Sequence, residues 1–261
     1  MQGARVKAIT SESNAAFRRW LRIATLGRGA REAGQTLAEG LHLAQAAIEA
    51  GVAIDAVIVR RGAALPEALL AALPASAAHF EMAPVLYERL APVEQGSGLL
   101  LVLPLPPAVQ AAPFSGDGLY LDGVQDPGNA GAILRTAAAA GVRYVLAGTG
   151  TAALWAPKVL RAAMGAHFRL DLYERIEPGA LQPLLDGPWI AAVAHAGASL
   201  WEQDFGSGAV GWVLGAEGAG PSPAALAACR HRVCIPTSDA VESLNVAAAA
   251  AVCLFERLRR R

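Results

Sequence analysis

Six polar residues in three short segments stand out from a chain otherwise rich in alanine and aliphatic side chains. Asn129 and Arg135 lie in Leu121-Asp-Gly-Val-Gln-Asp-Pro-Gly-Asn-Ala-Gly-Ala-Ile-Leu-Arg135, and Glu217 lies in Val213-Leu-Gly-Ala-Glu-Gly-Ala-Gly220. Glu242, Ser243 and Asn245 close Ile235-Pro-Thr-Ser-Asp-Ala-Val-Glu-Ser-Leu-Asn245. A guanidinium stays protonated at any ordinary pH and so can stabilise developing negative charge. Glycines around Glu217 let backbone N–H groups approach a ligand closely. Polar residues where a helix begins sit beside free N–H donors and a positive dipole end, which suits an anionic group. Each segment also has a plainer reading: Asn129 as a helix N-cap, Glu217 as a solvated loop charge, Glu242 to Asn245 as capping side chains. Arg135 follows Asn129 by six residues, about 240° around a helix axis. It therefore either faces solvent or serves something outside its own helix.

Other chemistries fit poorly. The glycine loop is not Gly-x-x-x-x-Gly-Lys-Ser/Thr, which excludes a P-loop, and no Gly-x-Gly-x-x-Gly opens the first strand-helix unit after residue 118. Cys229, Cys234 and Cys253 are an odd number without a second ligand pair at zinc spacing, and read as reduced thiols packed inside. His42, His79, His167, His195 and His231 are scattered, so no metal is expected.

The 261 residues, 54% hydrophobic, can fill one large or two ordinary cores. Lys plus Arg and Asp plus Glu number 22 each, so no global field advertises a polyanionic partner. Residues 1–31 are locally basic, however, with Arg5, Lys7, Arg18, Arg19, Arg22, Arg28 and Arg31 against Glu12. Met1 to Asn14 has no apolar signal-peptide core, and the longest apolar run, Val246 to Phe255, is too short to cross a bilayer. A soluble, cytoplasmic protein without membrane contact is expected.

The three segments need a scaffold. Pro104, Pro106, Pro107 and Pro113, then Ser115-Gly-Asp-Gly118, mark a linker at 104–117 between a domain at 1–103 and one at 118–261. The first reads as a small α/β module, with helices at 14–26, 41–50, 66–72 and 84–90 and strands at 56–60 and 99–103; a short strand before Glu39-Gly40 is natural. The second alternates strands at 119–121, 144–147, 169–172, 189–194, 210–214 and 232–235 with helices at 129–140, 157–165, 180–185, 223–228 and 242–260. That alternation predicts a mostly parallel sheet with helices on both faces. Each polar segment then follows the carboxyl end of a strand, where open α/β sheets bind ligands.

Asp126-Pro-Gly-Asn-Ala-Gly-Ala-Ile-Leu-Arg135, Leu214-Gly-Ala-Glu-Gly-Ala-Gly220 and Ile235-Pro-(five residues)-Glu-Ser-Leu-Asn-Val246 together resemble the three motifs of the SpoU/TrmH branch of the SPOUT methyltransferases, in family order. Lys158-Val-Leu-Arg-Ala-Ala-Met-Gly-Ala166 is similar to the family's helix between motifs one and two, although Trp155-Ala156 stands where serine is more usual. The resemblance covers 118–261. More loosely, residues 6–103, with Asn14, Phe17 and Glu39-Gly40, resemble the ribosomal-protein-like RNA-binding domain that often precedes it.

The resemblance implies a parallel sheet with a deep trefoil knot, S-adenosylmethionine as methyl donor, a ribose 2′-hydroxyl of structured RNA as acceptor, and a homodimer with its site near the subunit interface. It implies that backbone groups near Leu214, Gly215, Ile235 and Leu244 hold the cofactor, with Glu217, Gly218, Pro236, Ser243 and Asn245 around it. Asn129 and Asn245 position the ribose and the loops, Glu217 orients Arg135 or the cofactor loop, and Ser243 fixes the knot. For Arg135 it implies stabilisation of the developing alkoxide rather than proton abstraction. Arg18, Arg19 and Arg22 share one helical segment and are expected to touch RNA phosphates, while Trp20 between them suits a core anchor. The terminal Arg257, Arg259, Arg260 and Arg261 read as favourable charge at a helix carboxyl end. Ribosomal RNA leads as substrate, with tRNA next; a catalytically silent RNA binder and a base-methylating knotted enzyme are the alternatives within this fold, and a small-molecule metabolic enzyme the one outside it.

Overall fold

The computed structural model describes residues 6–91, 96–238 and 240–261; Arg5 of the basic run lies outside them. The chain divides into two compact units, Met1–Pro107 with Trp155–Phe168, and Ala108–Leu154 with Arg169–Arg261.

The first unit begins with β1 (Lys7–Ile9), α1 (Ala15–Thr25), α2 (Gly29–Ala33), β2 (Gln35–Glu39) and α3 (Leu41–Glu49). It continues with β3 (Ala56–Arg60), α4 (Glu67–Ala72), β4 (Ala78–Met82), α5 (Pro84–Leu90) and β5 (Leu99–Pro104). Its sheet runs β1-β4-β3-β5-β2, with β5 antiparallel to both neighbours. Asn14 caps α1, its side chain accepting from the N–H groups of Ala16 (2.9 Å) and Phe17 (3.2 Å). Phe17, Trp20 and Ile23, spaced three apart, form the buried face of α1, and Trp20 meets Phe80 edge-on at 5.1 Å. Arg18, Arg19 and Arg22 stay exposed on the same helix.

The chain continues through β6 (Gly118–Asp122), α6 (Pro127–Ala139) and β7 (Tyr144–Ala147) of the second unit, then gives α7 (Pro157–Ala163) to the first. There the Thr36 hydroxyl donates to the Trp155 carbonyl (2.7 Å), and Arg161 pairs with Glu39 (3.4 Å). The second unit resumes with β8 (Asp171–Glu174), β9 (Trp189–Ala192), β10 (Ala198–Ser199), β11 (Gly211–Gly215), α8 (Pro223–Ala227), β12 (His231–Cys234) and α9 (Val246–Arg259). Its sheet, β10-β12-β9-β11-β6-β7-β8, is parallel throughout. Leu119–Leu121 and Trp212–Leu214 are buried in its centre, which is why β6 and β11 read as continuous apolar runs.

Three local expectations change. The helix expected at 180–185 is a pair of 3₁₀ turns, Pro178–Ala180 and Gln182–Leu184, because Pro178 and Pro183 each remove a backbone donor. The last helix starts at Val246 rather than Glu242, since the Asn245 side chain caps it. Cys253 alone of the three thiols is fully buried, the other two being half-buried.

The terminal arginines also do more than was read from their position. Arg257 is 5% exposed, and its guanidinium donates to Asp117 Oδ2 (3.1 Å), to the Gly206 carbonyl (3.1 Å) and to the Gly208 carbonyl. Asp117 also accepts from the Val210 N–H (3.0 Å) and pairs with Arg261 (2.6 Å), while Arg260 donates to the carbonyls of Trp201 and Gln203. This cluster fastens the end of α9 to the start of β6 and to residues 201–208. Removing one partner of a buried pair strands the other charge, so Arg257→Ala is expected to destabilise the protein by about 3–5 kcal/mol, nearer the lower figure because Arg261 remains on Asp117. Urea unfolding of wild type and variant measures the difference.

Among the described residues no helix is long and apolar enough to cross a membrane.

Candidate functional site

The strand order reverses between β6 and β11: β7 and β8 extend the sheet to one side, β9, β12 and β10 to the other. Ligands bind outside the carboxyl ends of strands at such a switch point. A cleft of about 330 Å³ opens there, beyond β9, β11 and β12 and beside the start of α9, a size usual for small-molecule sites. Leu214, Gly215, Glu217 and Gly218 line it from the loop after β11. Ile235, Ser243, Leu244 and Asn245 line it from the segment between β12 and α9, joined by Glu242 and Thr237. Pro236 is exposed and does not line it. Ala192, Val193 and Ala194 at the end of β9 were missed in the sequence, although the rule about strand ends points to them.

The β11 loop is a tight hairpin in which Ala216 bridges Gly220. A Cβ on Gly215 would overlap the backbone of Gly220 and Pro221, so only glycine lets the hairpin close. From below, the Asp122 carboxylate at the end of β6 accepts from the Ser222 N–H (2.6 Å), and Ser222 in turn caps α8.

Asn129, read as a cap for its helix, is not one. Asp126 caps α6, accepting from the Asn129 N–H (2.7 Å), and Pro127 takes the first helical position. The Asn129 side chain is thereby released for a longer-range role. Its amide donates to Glu217 Oε1 (2.8 Å), while its carbonyl oxygen accepts from the Asn245 amide (3.0 Å). Asn245 Oδ1 accepts from the N–H groups of Ala247 (2.9 Å) and Ala248 (3.3 Å) at the start of α9. The direction of this chain is set at both ends, because helix N–H groups can only donate and a carboxylate can only accept. Both amide orientations follow. Three segments far apart in sequence are thus joined through one asparagine that does not itself line the cleft.

Burial acts to raise the Glu217 pKa, but the hydrogen bonds from the Asn129 amide and from the backbone N–H groups of Glu217 and Gln125 outweigh it. The carboxyl group is held below its usual range and stays an acceptor at neutral pH. Glu217 does not pair with Arg135. That arginine is exposed on α6, has no hydrogen bond or ion pair among the described residues, and does not line the cleft. Glu242 likewise has no partner among the described residues. Arg18, Arg19 and Arg22 belong to the first unit and take no part in the cleft. Among the described residues no group of three His, Cys, Asp or Glu side chains could hold a metal ion.

The residues fit a sulfonium cofactor. A glycine hairpin gives close backbone approach, the cleft mixes apolar walls with a few polar groups, and both charged side chains on it, Glu217 and Glu242, are carboxylates facing a ligand that carries positive charge.

Comparison with known proteins agrees. The chain is 32% identical to an uncharacterized tRNA/rRNA methyltransferase of Synechocystis sp., across 98% of this chain and 95% of that one. It is 28% identical to the 23S rRNA (guanosine(2553)-2′-O)-methyltransferase RlmP of Bacillus subtilis, across 96% and 98%. The crystal structure of the SpoU methyltransferase AviRb from Streptomyces viridochromogenes in complex with AdoMet superposes with a TM-score of 0.86 at 25% identity, covering 95% of this chain and 98% of that one. The sequence pattern of the SpoU rRNA methylase family matches residues 118–255, more than half of the chain, and the parallel sheet and the three joined segments lie within that span: the protein belongs to the SpoU rRNA methylase family.

Proposed function

We propose that this protein transfers a methyl group from S-adenosylmethionine to a ribose 2′-hydroxyl of ribosomal RNA. The observation that carries the reading is the directed chain from α9 through Asn245 and Asn129 to Glu217, which joins the three family motifs at the rim of one cleft. The cofactor supplies an already activated methyl group, so alignment of donor and hydroxyl carries much of the rate. Backbone groups of Leu214, Gly215, Ile235 and Leu244 hold it, Ser243 and Asn245 fix the segment beside it, and Arg135 stabilises the alkoxide that forms as the hydroxyl proton passes to water. Ribosomal RNA is favoured over tRNA by the near full-length similarity to an enzyme named for 23S rRNA. The first unit is the RNA-binding part, with Arg18, Arg19 and Arg22 exposed on α1 for phosphates. The knotted path of the 214–220 and 235–245 segments and a cytoplasmic setting belong to the same reading.

Incubation with radiolabelled S-adenosylmethionine and separate rRNA and tRNA pools, followed by digestion to nucleosides, tests it. Label in a 2′-O-methylnucleoside from rRNA is expected. Label on a base, or in tRNA alone, overturns the assignment.

Glu242 yields a sharper expectation about the cofactor. S-adenosylmethionine carries a sulfonium charge that its demethylated product lacks. If the free Glu242 carboxylate faces that charge, Glu242→Gln weakens binding of S-adenosylmethionine by about tenfold and leaves S-adenosylhomocysteine unchanged, as titration calorimetry would read. Equal loss for both would place Glu242 by the ammonium group instead.

A homodimer is part of the proposal, and what supports it is a stripe on α9. Ala248, Ala251, Phe255 and Leu258, led by Leu244, recur at the four-three spacing of a helix packing seam; Phe255 and Leu258 are 46% and 38% exposed. The stripe begins at the cleft, which would put the site at the interface. Leu258→Glu is expected to convert a dimer to a monomer in light scattering; a wild type that is already monomeric refutes this part.

A further inference from the structure

The first unit has a cavity of its own, about 250 Å³, that methyl transfer leaves unused. Val6, Val59, Leu65 and Leu70 give it apolar walls, and His79, Glu81 and Arg60 give it polar groups. His79 and Glu81 come from β4, two residues apart, so they share one face of the sheet and stand about 7 Å apart along it. His79 is 9% exposed, yet its imidazole makes no hydrogen bond or ion pair among the described residues. A buried polar group is ordinarily paired, and here the open side is the cavity. Glu81 gives Oε1 to Arg61 (2.6 Å), which leaves Oε2 free. Two cations accompany them: Arg60, which lines the cavity, and Arg61, held on Glu81.

We infer that this cavity holds a single unpaired nucleobase of the RNA substrate. The inference rests on the reading that the first unit contacts RNA. Proteins read RNA sequence chiefly at unpaired bases that can leave the stack, and each group here suits that task. The apolar walls take a flat ring. The imidazole can donate to and accept from the base edge. Glu81 Oε2 accepts, which suits the exocyclic amino groups of adenine, cytosine and guanine; uracil offers only an N3–H set between two carbonyl oxygens that repel a carboxylate. Arg60 and Arg61 meet the flanking phosphates. The cavity thereby adds base selectivity to a unit whose other contacts read only phosphate.

The test uses the full chain with ¹³C-labelled histidines and ¹⁵N-labelled backbone, titrated with the octaribonucleotides A₈, C₈ and U₈ and followed by NMR. The His79 ring signals are expected to move with A₈ or C₈, with U₈ binding about tenfold more weakly because two carbonyl oxygens flank its only base-edge donor. Leu70→Trp, which fills the cavity, should abolish the His79 shift and the preference among bases while the α1 amides still respond. His79 signals that stay fixed while α1 amides move show RNA held by phosphate contacts alone and overturn the pocket. If neither moves, the RNA-binding reading of the first unit fails, and this inference with it.

Discussion

Arg135→Ala is expected to lower methyl transfer by on the order of 10²- to 10³-fold, the usual effect of removing one preorganised charge stabiliser, with cofactor affinity unchanged. Arg135 is exposed on α6, uncommitted to any partner among the described residues, and absent from the cofactor cleft. Its loss therefore removes nothing that holds the cofactor. A guanidinium cannot act as the base, so the contribution proposed for it is a fixed charge beside the developing alkoxide. Arg135→Lys keeps the charge without the planar fork and should recover part of the rate. Single-turnover rates with labelled cofactor and titration calorimetry separate the two quantities. If affinity falls together with rate, Arg135 supports the cleft framework and the assignment is wrong.

Gly215→Ala should act on the opposite quantity. The added methyl overlaps the Gly220 and Pro221 backbone, so the hairpin must open. Overpacking of this kind costs about 1–3 kcal/mol, which corresponds to about a 5- to 150-fold loss in cofactor affinity. Gly218 gives the contrast within the same loop. Nothing crowds it, but its φ of 85° is left-handed, a strain of about 1–2 kcal/mol for alanine that falls on the loop rather than its closure. Gly218→Ala is accordingly expected to bind cofactor better than Gly215→Ala. The reverse order would mean that the hairpin does not shape the binding surface.

Much of the second unit was legible in its sequence because its central strands are buried on both faces and announce themselves as apolar runs ending in glycine or polar loops. Tyr144–Ala147 and Trp212–Leu214 are of that kind. The first unit was harder. β1 is three residues long at a sheet edge, and β4, Ala78-His-Phe-Glu-Met82, alternates apolar and polar but has none of the β-branched residues that usually mark a strand. The passage of Trp155–Phe168 into the first unit has Pro157 and Gly165 near its ends, but these read as ordinary helix ends, since the passage depends on contacts with β2 over a hundred residues away. At the site, residue types identified the cleft loops, but not their connections. Pro127 was the available sign that Asp126, not Asn129, caps α6. Arg257 looked like surface charge because its partner, Asp117, lies 140 residues earlier.

The directed chain through Asn129 also bears on when the protein becomes active during synthesis. A ribosome completes β6, α6 and β11 before it reaches Asn245, and until that residue and the first turn of α9 have left the exit tunnel, the Asn129 carbonyl oxygen has no donor and nothing ties the Glu217 loop to α9. The nascent polypeptide can fold most of its sheet but cannot assemble a cofactor cleft. Cofactor capture is thereby deferred until Asn245 and the start of α9 are in place, and a polypeptide truncated before α9 is expected to be inert toward the methyl donor even if it reaches RNA.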